Sequence, residues 1–145
     1  IEARQALNVV YQQNESGIYL QIPVAAGEMM RQADIFITPD NKNASGSQKY
    51  SSCSIRIFLD LDYLGEISID AALREGRIRC IIKCEDEDIR HLIDSAAGQL
   101  KKALSGIGYG IERIDCLQVS ELKEKRAEFI EQQLLESTFL VNQFV

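Results

Sequence analysis

The stretch Ile55–Asp62, with the sequence IRIFLDLD, decides the fold class of this chain. Isoleucine and leucine occupy every second position, and charged or aromatic residues fill the positions between them. Alternation this strict is typical of a β-strand that is covered on one face. We therefore predict a strand here, with its aliphatic side chains pointing into the core.

Two further strands follow after short connections. Tyr63–Gly65 forms a turn, and Glu66–Ala71 resumes the alternation. A second turn, Arg74–Gly76, leads into Arg77–Cys84, which alternates again. Sequential strands joined by short turns predict an antiparallel meander.

A long amphipathic helix is predicted over Ile89–Leu104, where apolar residues recur at helical spacing. The acidic run Glu85–Asp88 supplies a capping residue and negative charge for the positive end of the helix dipole. Gly106 is a natural end for the helix. The strand Ile111–Val119 is predicted to follow it.

The two ends of the chain are predicted to add helices and a strand pair. Ala3–Gln13 has helical spacing, whereas Ile18–Val24 and Ala33–Thr38 have the character of strands. A C-terminal helix is predicted from Ser120. The apolar tail Phe139–Val145 can continue this helix or return as a strand.

These elements together predict an α+β fold. We expect an antiparallel sheet of about five or six strands, with a β-meander core, the long amphipathic helix packed on one face, and N- and C-terminal helices. The chain is predicted to be one domain, 1–145. Its parts are the N-terminal helix and strand pair (1–40), a mobile polar loop (41–52), the core (53–119), and the C-terminal helix with its tail (120–145).

Composition and charge narrow the classes of function. The chain has 145 residues, of which 46% are apolar and 26% charged, as expected for a single globular domain. Its net charge of -6 makes it a poor binder of nucleic acid, whose affinity depends on clustered cations. Apolar runs long enough to span a membrane are absent from the sequence. We therefore expect no nucleic-acid partner and no membrane insertion.

The four cysteines are predicted to be reduced. Cys80 and Cys84 share the inward face of one strand at a separation of about 13 Å, too far for a disulfide or a shared tetrahedral metal. They and Cys116 are expected to act as small apolar side chains. Cys53, predicted to lie in the mobile loop, is the only thiol expected to be reactive.

Candidate catalytic groups are few. Asp60 and Asp62 point the same way from one strand and could hold a divalent cation or act as acid and base. We favour the simpler interpretation, a solvated strand face opposite a hydrophobic one, because it needs no ligand. His91 is the only histidine. The glycines of 106–110 follow a predicted helix, whereas the glycines of a dinucleotide-binding loop precede one. We expect no enzyme activity and no cofactor. The alternative is a small metal-dependent hydrolase that uses Asp60, Asp62 and His91.

Basic residues gather on the outer face of the third meander strand. Alternation places Arg77, Arg79 and Lys83 there. They can pair with Asp60 and Asp62 across the sheet, or they can bind an acidic protein partner.

The stretch from Ser54 to Val119 resembles the C-terminal core domain of flagellar hook-length control proteins. The resemblance begins with SIRIFLDLDYLGEISID, whose LGEISI at 64–69 is similar to the family phrase L-G-x-[IV]-x-[IV]. The strand GRIRCIIKC and the segment DIRHLIDSAAGQLKKALSGIGYGIERIDC follow in the family's order. The preceding IYLQIPVAAGEMMRQADIFITPD is similar to the strand pair that comes before the core in many relatives.

The resemblance implies a non-enzymatic, cytoplasmic interaction module. Such a module would bind the cytoplasmic part of the flagellar export gate and switch export from hook to filament substrates. The resemblance is also compatible with export of the protein itself through the flagellar type III route. The alternative is a family-like adaptor or self-assembling domain outside flagella.

The resemblance transfers no site residues, so the partner-binding candidates come from the sequence pattern. One candidate surface is the basic strand face with Arg77, Arg79 and Lys83. The other is the apolar tail, with Phe139, Leu140, Val141 and Phe144. A homodimer through the C-terminal helix is a further prediction.

Overall fold

The structure, a computed structural model, describes residues 10–14, 17–26, 28–41 and 43–144, with side chains over 17–25, 28–41 and 43–133. Within these residues the chain forms one seven-stranded sheet and two α-helices. The strands are β1 (Val10–Asn14), β2 (Gly17–Ala26), β3 (Met29–Pro39), β4 (Cys53–Leu61), β5 (Gly65–Arg74), β6 (Arg77–Cys84) and β7 (Gly110–Gln118). The helices are α1 (Glu87–Gly106) and α2 (Leu122–Phe144). The α+β class is confirmed.

The sheet is mixed, so the prediction of a purely antiparallel sheet is wrong. Strands β1 to β6 form an antiparallel meander in sequence order, but β7 runs parallel to β6. The reason is the connection between them. Helix α1 carries the chain back along the sheet, so the strand that follows it starts at the same end as β6.

The predicted N-terminal helix over Ala3–Gln13 is not supported. Val10–Asn14 is a strand whose residues pair with β2, with Tyr11 opposite Leu20. The sequence VYQQN carries the β-branched and aromatic residues that favour a strand once a partner strand is available. The part of the predicted helix over residues 3–9 lies outside the described residues.

One face of the sheet holds the core beneath α1, and we call it the α1 face. Ile57, Ile69, Ile82 and Cys116 lie in one row across β4 to β7. Ile93 of α1 packs against the buried cluster that contains Ile82 and Cys116 of this row. The amphipathic helix predicted over Ile89–Leu104 is thus confirmed, and it covers the sheet mainly at β7.

The ends of α1 follow from local sequence. The Asp86 side chain accepts hydrogen bonds from the backbone N–H groups of Asp88 (2.7 Å) and Ile89 (3.2 Å). Gly108, with φ of 97°, takes the left-handed conformation just beyond the C-terminus. The acidic run therefore caps the helix, as predicted.

The opposite face of the sheet receives α2, and we call it the α2 face. Phe129 of α2 contacts Phe36 and Phe58, with ring centroids 5.0 and 5.5 Å apart. Helix α2 continues to Phe144, so the tail is helical rather than a returning strand. Two helices on opposite faces make a three-layer molecule.

Candidate functional site

An open groove of about 710 Å³ lies on the α2 face, between α2 and the strands β4 to β7. Its polar lining includes Arg56, Asp70, Arg79, Arg113 and Asp115. Phe36, Ile81 and Phe129 add apolar surface. We call it the arginine groove, after its three guanidinium groups.

Asp70 organises the floor of the arginine groove. Its carboxylate accepts hydrogen bonds from Arg56 Nε at 2.7 Å and from Lys83 Nζ at 2.9 Å. Burial opposes the ionisation of Asp70, but these bonds outweigh it and lower the pKa of the carboxyl below its ordinary value. Arg56 and Lys83 are therefore held in place by a permanently ionised partner at neutral pH.

Arg79 and Arg113 stand opposite each other across β6 and β7. Arg113 Nε lies 2.7 Å from Asp115 Oδ2 in an ion pair, whereas Arg79 forms no ion pair with any described side chain. On its other side, Arg79 faces the small side chain of Ala72 on β5. Like charges in register disfavour each other, so an anion entering between the two guanidinium groups would be stabilised.

The three predicted basic residues have different surroundings. Arg79 lines the arginine groove, and Arg77 is exposed at the start of β6. Lys83 is engaged by Asp70. The predicted pairing of these residues with Asp60 and Asp62 is wrong, because β5 separates β4 from β6.

The second predicted surface lies on the last part of α2. Phe139, Leu140, Val141 and Phe144 are in the helix, but their side chains are outside the described set. Binding through this tail, and a homodimer through the C-terminal helix, therefore stay predictions.

The side chains of the hydrolase alternative are not brought together. Asp62 forms an ion pair with Arg31, and Asp60 is exposed on the α2 face. His91 lies on α1, against the opposite face, with its Nε2 3.4 Å from Glu87 Oε1. Among the described residues, no three His, Cys, Asp or Glu side chains are grouped so that they could hold a metal ion.

Cys53 corrects a sequence expectation. It is only 3% exposed, since it is the first residue of β4 and lies inside the sheet rather than in the loop. Burial, with a contribution from Asp40, raises the pKa of its thiol above the ordinary value. Burial raises the pKa of Cys80, Cys84 and Cys116 as well. The expectation that Cys53 is reactive is wrong, because a thiol that stays protonated and buried is a poor nucleophile.

Sequence reasoning missed four residues of the groove: Arg56, Asp70, Arg113 and Asp115. A usable signal was present in the predicted strand Ile111–Val119. Arg113 and Asp115 are two positions apart, so both point to one face of that strand. A parallel β7 then places them beside Arg79.

Comparison with known protein families matches residues 41–124 to the family Flagellar hook-length control protein FliK. The match covers more than half of the chain. The chain belongs to this family. The resemblance predicted over Ser54–Val119 is thereby confirmed, and all five charged side chains of the arginine groove fall inside the segment shared with FliK proteins.

Comparisons with curated proteins and with solved structures find no match for this FliK-family chain. Among the helices that the structure describes, none has both the length and the apolar character needed to cross a membrane.

Proposed function

We propose that this FliK-family domain binds the cytoplasmic part of the flagellar export gate and so switches export from hook to filament substrates. The family match over residues 41–124 carries the proposal. The domain acts by occupying a surface of its partner in the cytoplasm, without a cofactor and without making or breaking a covalent bond. Its own passage through the flagellar type III route is compatible with this role.

The arginine groove is the contact surface that we propose. The chain as a whole has a net charge of -6, so a surface with unpaired positive charge differs from the rest of the molecule. Arg79 in the groove and Arg77, which precedes it by two residues on β6, form no ion pair with any described side chain, whereas Arg56 and Arg113 are paired with Asp70 and Asp115. Arg77 and Arg79 are therefore available for carboxylates on a partner.

An acidic segment of the partner fits this surface best. A carboxylate between Arg79 and Arg113 would relieve the repulsion between the two guanidinium groups. Ile81 and Phe129 would provide apolar contact on either side. Binding of this kind weakens as salt is added, because exposed charges are screened.

The proposal is tested by reversing the charge of the two unpaired arginines on the outer face of β6. We expect Arg77→Glu combined with Arg79→Glu to lower the affinity for the isolated cytoplasmic part of the export gate by about tenfold or more, measured by calorimetry. The loss should shrink at high salt.

A matched control applies the same change of charge elsewhere. Lys101→Glu combined with Lys125→Glu alters two exposed residues that do not line the groove. Both double variants should unfold at the same urea concentration as the unmodified protein. Equal losses of affinity in the two double variants, or no loss in either, would remove the groove from the proposal. An adaptor used outside flagella would leave the export gate unbound by all three proteins.

A further inference from the structure

One side of helix α1 carries apolar side chains that the described residues leave uncovered. The helix is amphipathic, yet none of its residues is fully buried. Ile89, Ile93 and Leu104 are half-buried against the sheet. Leu92 is 56% exposed and Leu100 is 37% exposed. With Ala96 and Ala103, also exposed, these two leucines form what we call the exposed stripe.

The exposed stripe has the geometry of a helix-packing seam. Its members follow one another at intervals of three or four residues, so they lie along one side of the helix. Ala96, Gln99, Leu100 and Ala103 surround a depression of the kind that receives a single large side chain in knobs-into-holes packing. Leu92, about one turn before this depression, is a knob of suitable size.

Charge along the same side of the helix indicates what would cover the stripe. Asp88 stands at its N-terminal end and Lys102 at its C-terminal end, and both are exposed. A second copy of α1 laid antiparallel would bring Asp88 of each copy beside Lys102 of the other. A parallel copy would instead oppose Asp88 to Asp88, which is unfavourable.

We propose that two copies of this chain associate through their α1 helices, packed antiparallel about a two-fold axis beside Ala96. Leu92 of each copy then enters the depression around Gln99 and Leu100 of the other, and the same register pairs Asp88 with Lys102. The small side chain of Ala96 lets the helices approach closely at the axis. Because the seam is one helix long, the dimer is weak and depends on concentration.

This dimer is separate from the function proposed above. Helix α1 packs on the opposite face of the sheet from the arginine groove, so self-association leaves the groove open. If the dimer proposal fails, the gate-binding proposal is unaffected, and if gate binding fails, the dimer proposal is unaffected.

Sedimentation velocity on the full chain from about 1 µM to about 1 mM, the range of weak association, tests the dimer. We expect the average mass to rise towards twice the monomer mass. Leu92→Glu should abolish this rise without affecting folding, since the side chain is exposed. Asp88→Lys should also weaken association, and adding Lys102→Asp should restore it. A protein that stays monomeric throughout, or a Leu92→Glu variant that associates normally, would overturn the proposal.

Disulfide cross-linking tests the orientation. Ala96→Cys places a thiol at the proposed axis, and mild oxidation should link it to its own counterpart in a second copy. Gly98→Cys is the matched control, because a side chain there meets open space and points away from the stripe. The four natural thiols are buried and should not interfere. Equal cross-linking of both variants, or of neither, would contradict the antiparallel seam even if a dimer forms.

Discussion

Glu66 on β5 is a buried acid at the junction of the sheet and α2. Its side chain is 8% exposed, and its Oε1 lies 3.3 Å from Arg126 Nη1. Burial raises the pKa of this carboxyl above its ordinary value. Arg126 opposes the shift, whereas Asp60 and Glu85 add to it and Lys123 lowers it slightly. The contact that joins α2 to the sheet thus has an electrostatic cost at neutral pH.

A pH series on Glu66→Gln tests this account. An acid with a raised pKa binds its proton more tightly in the folded chain, so its stabilisation is complete at low pH and is lost as pH rises through the folded-state pKa. We expect the free energy of unfolding of Glu66→Gln, relative to the unmodified protein, to increase between about pH 4 and about pH 7. Urea denaturation measures it, with Glu112→Gln on the exposed edge strand as the control for losing one charge. A relative stability that falls with pH would mean that the Arg126 pair outweighs burial.

Single residues also show where sequence reasoning stops. Alternation correctly placed Arg79 on an outward strand face, because the direction of a side chain is a local property. The partner of Asp62 could not be predicted, because Arg31 lies far away in sequence and meets it only through the pairing of β3 with β4. The burial of Cys53 depended in the same way on neighbouring strands.

At the scale of elements, the aromatic side chain of Phe129 packs α2 against the sheet. Phe129 touches Phe36 and Phe58, and the guanidinium carbon of Arg56 lies 4.6 Å from the centre of its ring. Phe36 also stacks on Tyr19 of β2, with centroids 4.7 Å apart. The cluster ties α2 to three strands that are distant in sequence.

Removing this anchor should loosen the helix. We expect Phe129→Ala to lower the free energy of unfolding by about 3 kcal/mol, the low end for a phenylalanine because the ring is half-buried. Urea denaturation measures the loss, and Glu128→Ala, its exposed neighbour, is the control. A change below about 0.5 kcal/mol, the usual range for surface substitutions, would show that α2 does not depend on the cluster.

Elements with a strong local pattern were predicted correctly. Strands β4 to β6 and helix α1 each show a clear period of apolar residues, and local turns or caps mark their ends. Val10–Asn14 was misassigned as helix because helical spacing in a short segment does not show that a neighbouring strand, here β2, is available for pairing. The direction of β7 depended on the path of α1, a property of the tertiary fold.

The whole molecule assembles its candidate site from distant parts of the chain. The arginine groove takes Arg56 from β4, Asp70 from β5, Arg79 from β6 and Arg113 from β7, with Phe129 from α2 as one wall. Only Arg79 among these was predicted from the sequence as a binding residue. The others could not be grouped with it until the order of the strands in the sheet was known. The sheet order is what turns scattered arginines into one surface.

The most direct test of the account is an NMR titration of the isotope-labelled domain with the unlabelled cytoplasmic part of the flagellar export gate. We predict that the largest shifts fall on backbone amides of β6 and β7 and on the side-chain Nε–H groups of Arg79 and Arg113. The amides of α1 should move little at concentrations where the domain is monomeric. A titration without shifts, or one whose shifts are confined to α1, would contradict the proposal that this FliK-family domain binds the export gate through its arginine groove.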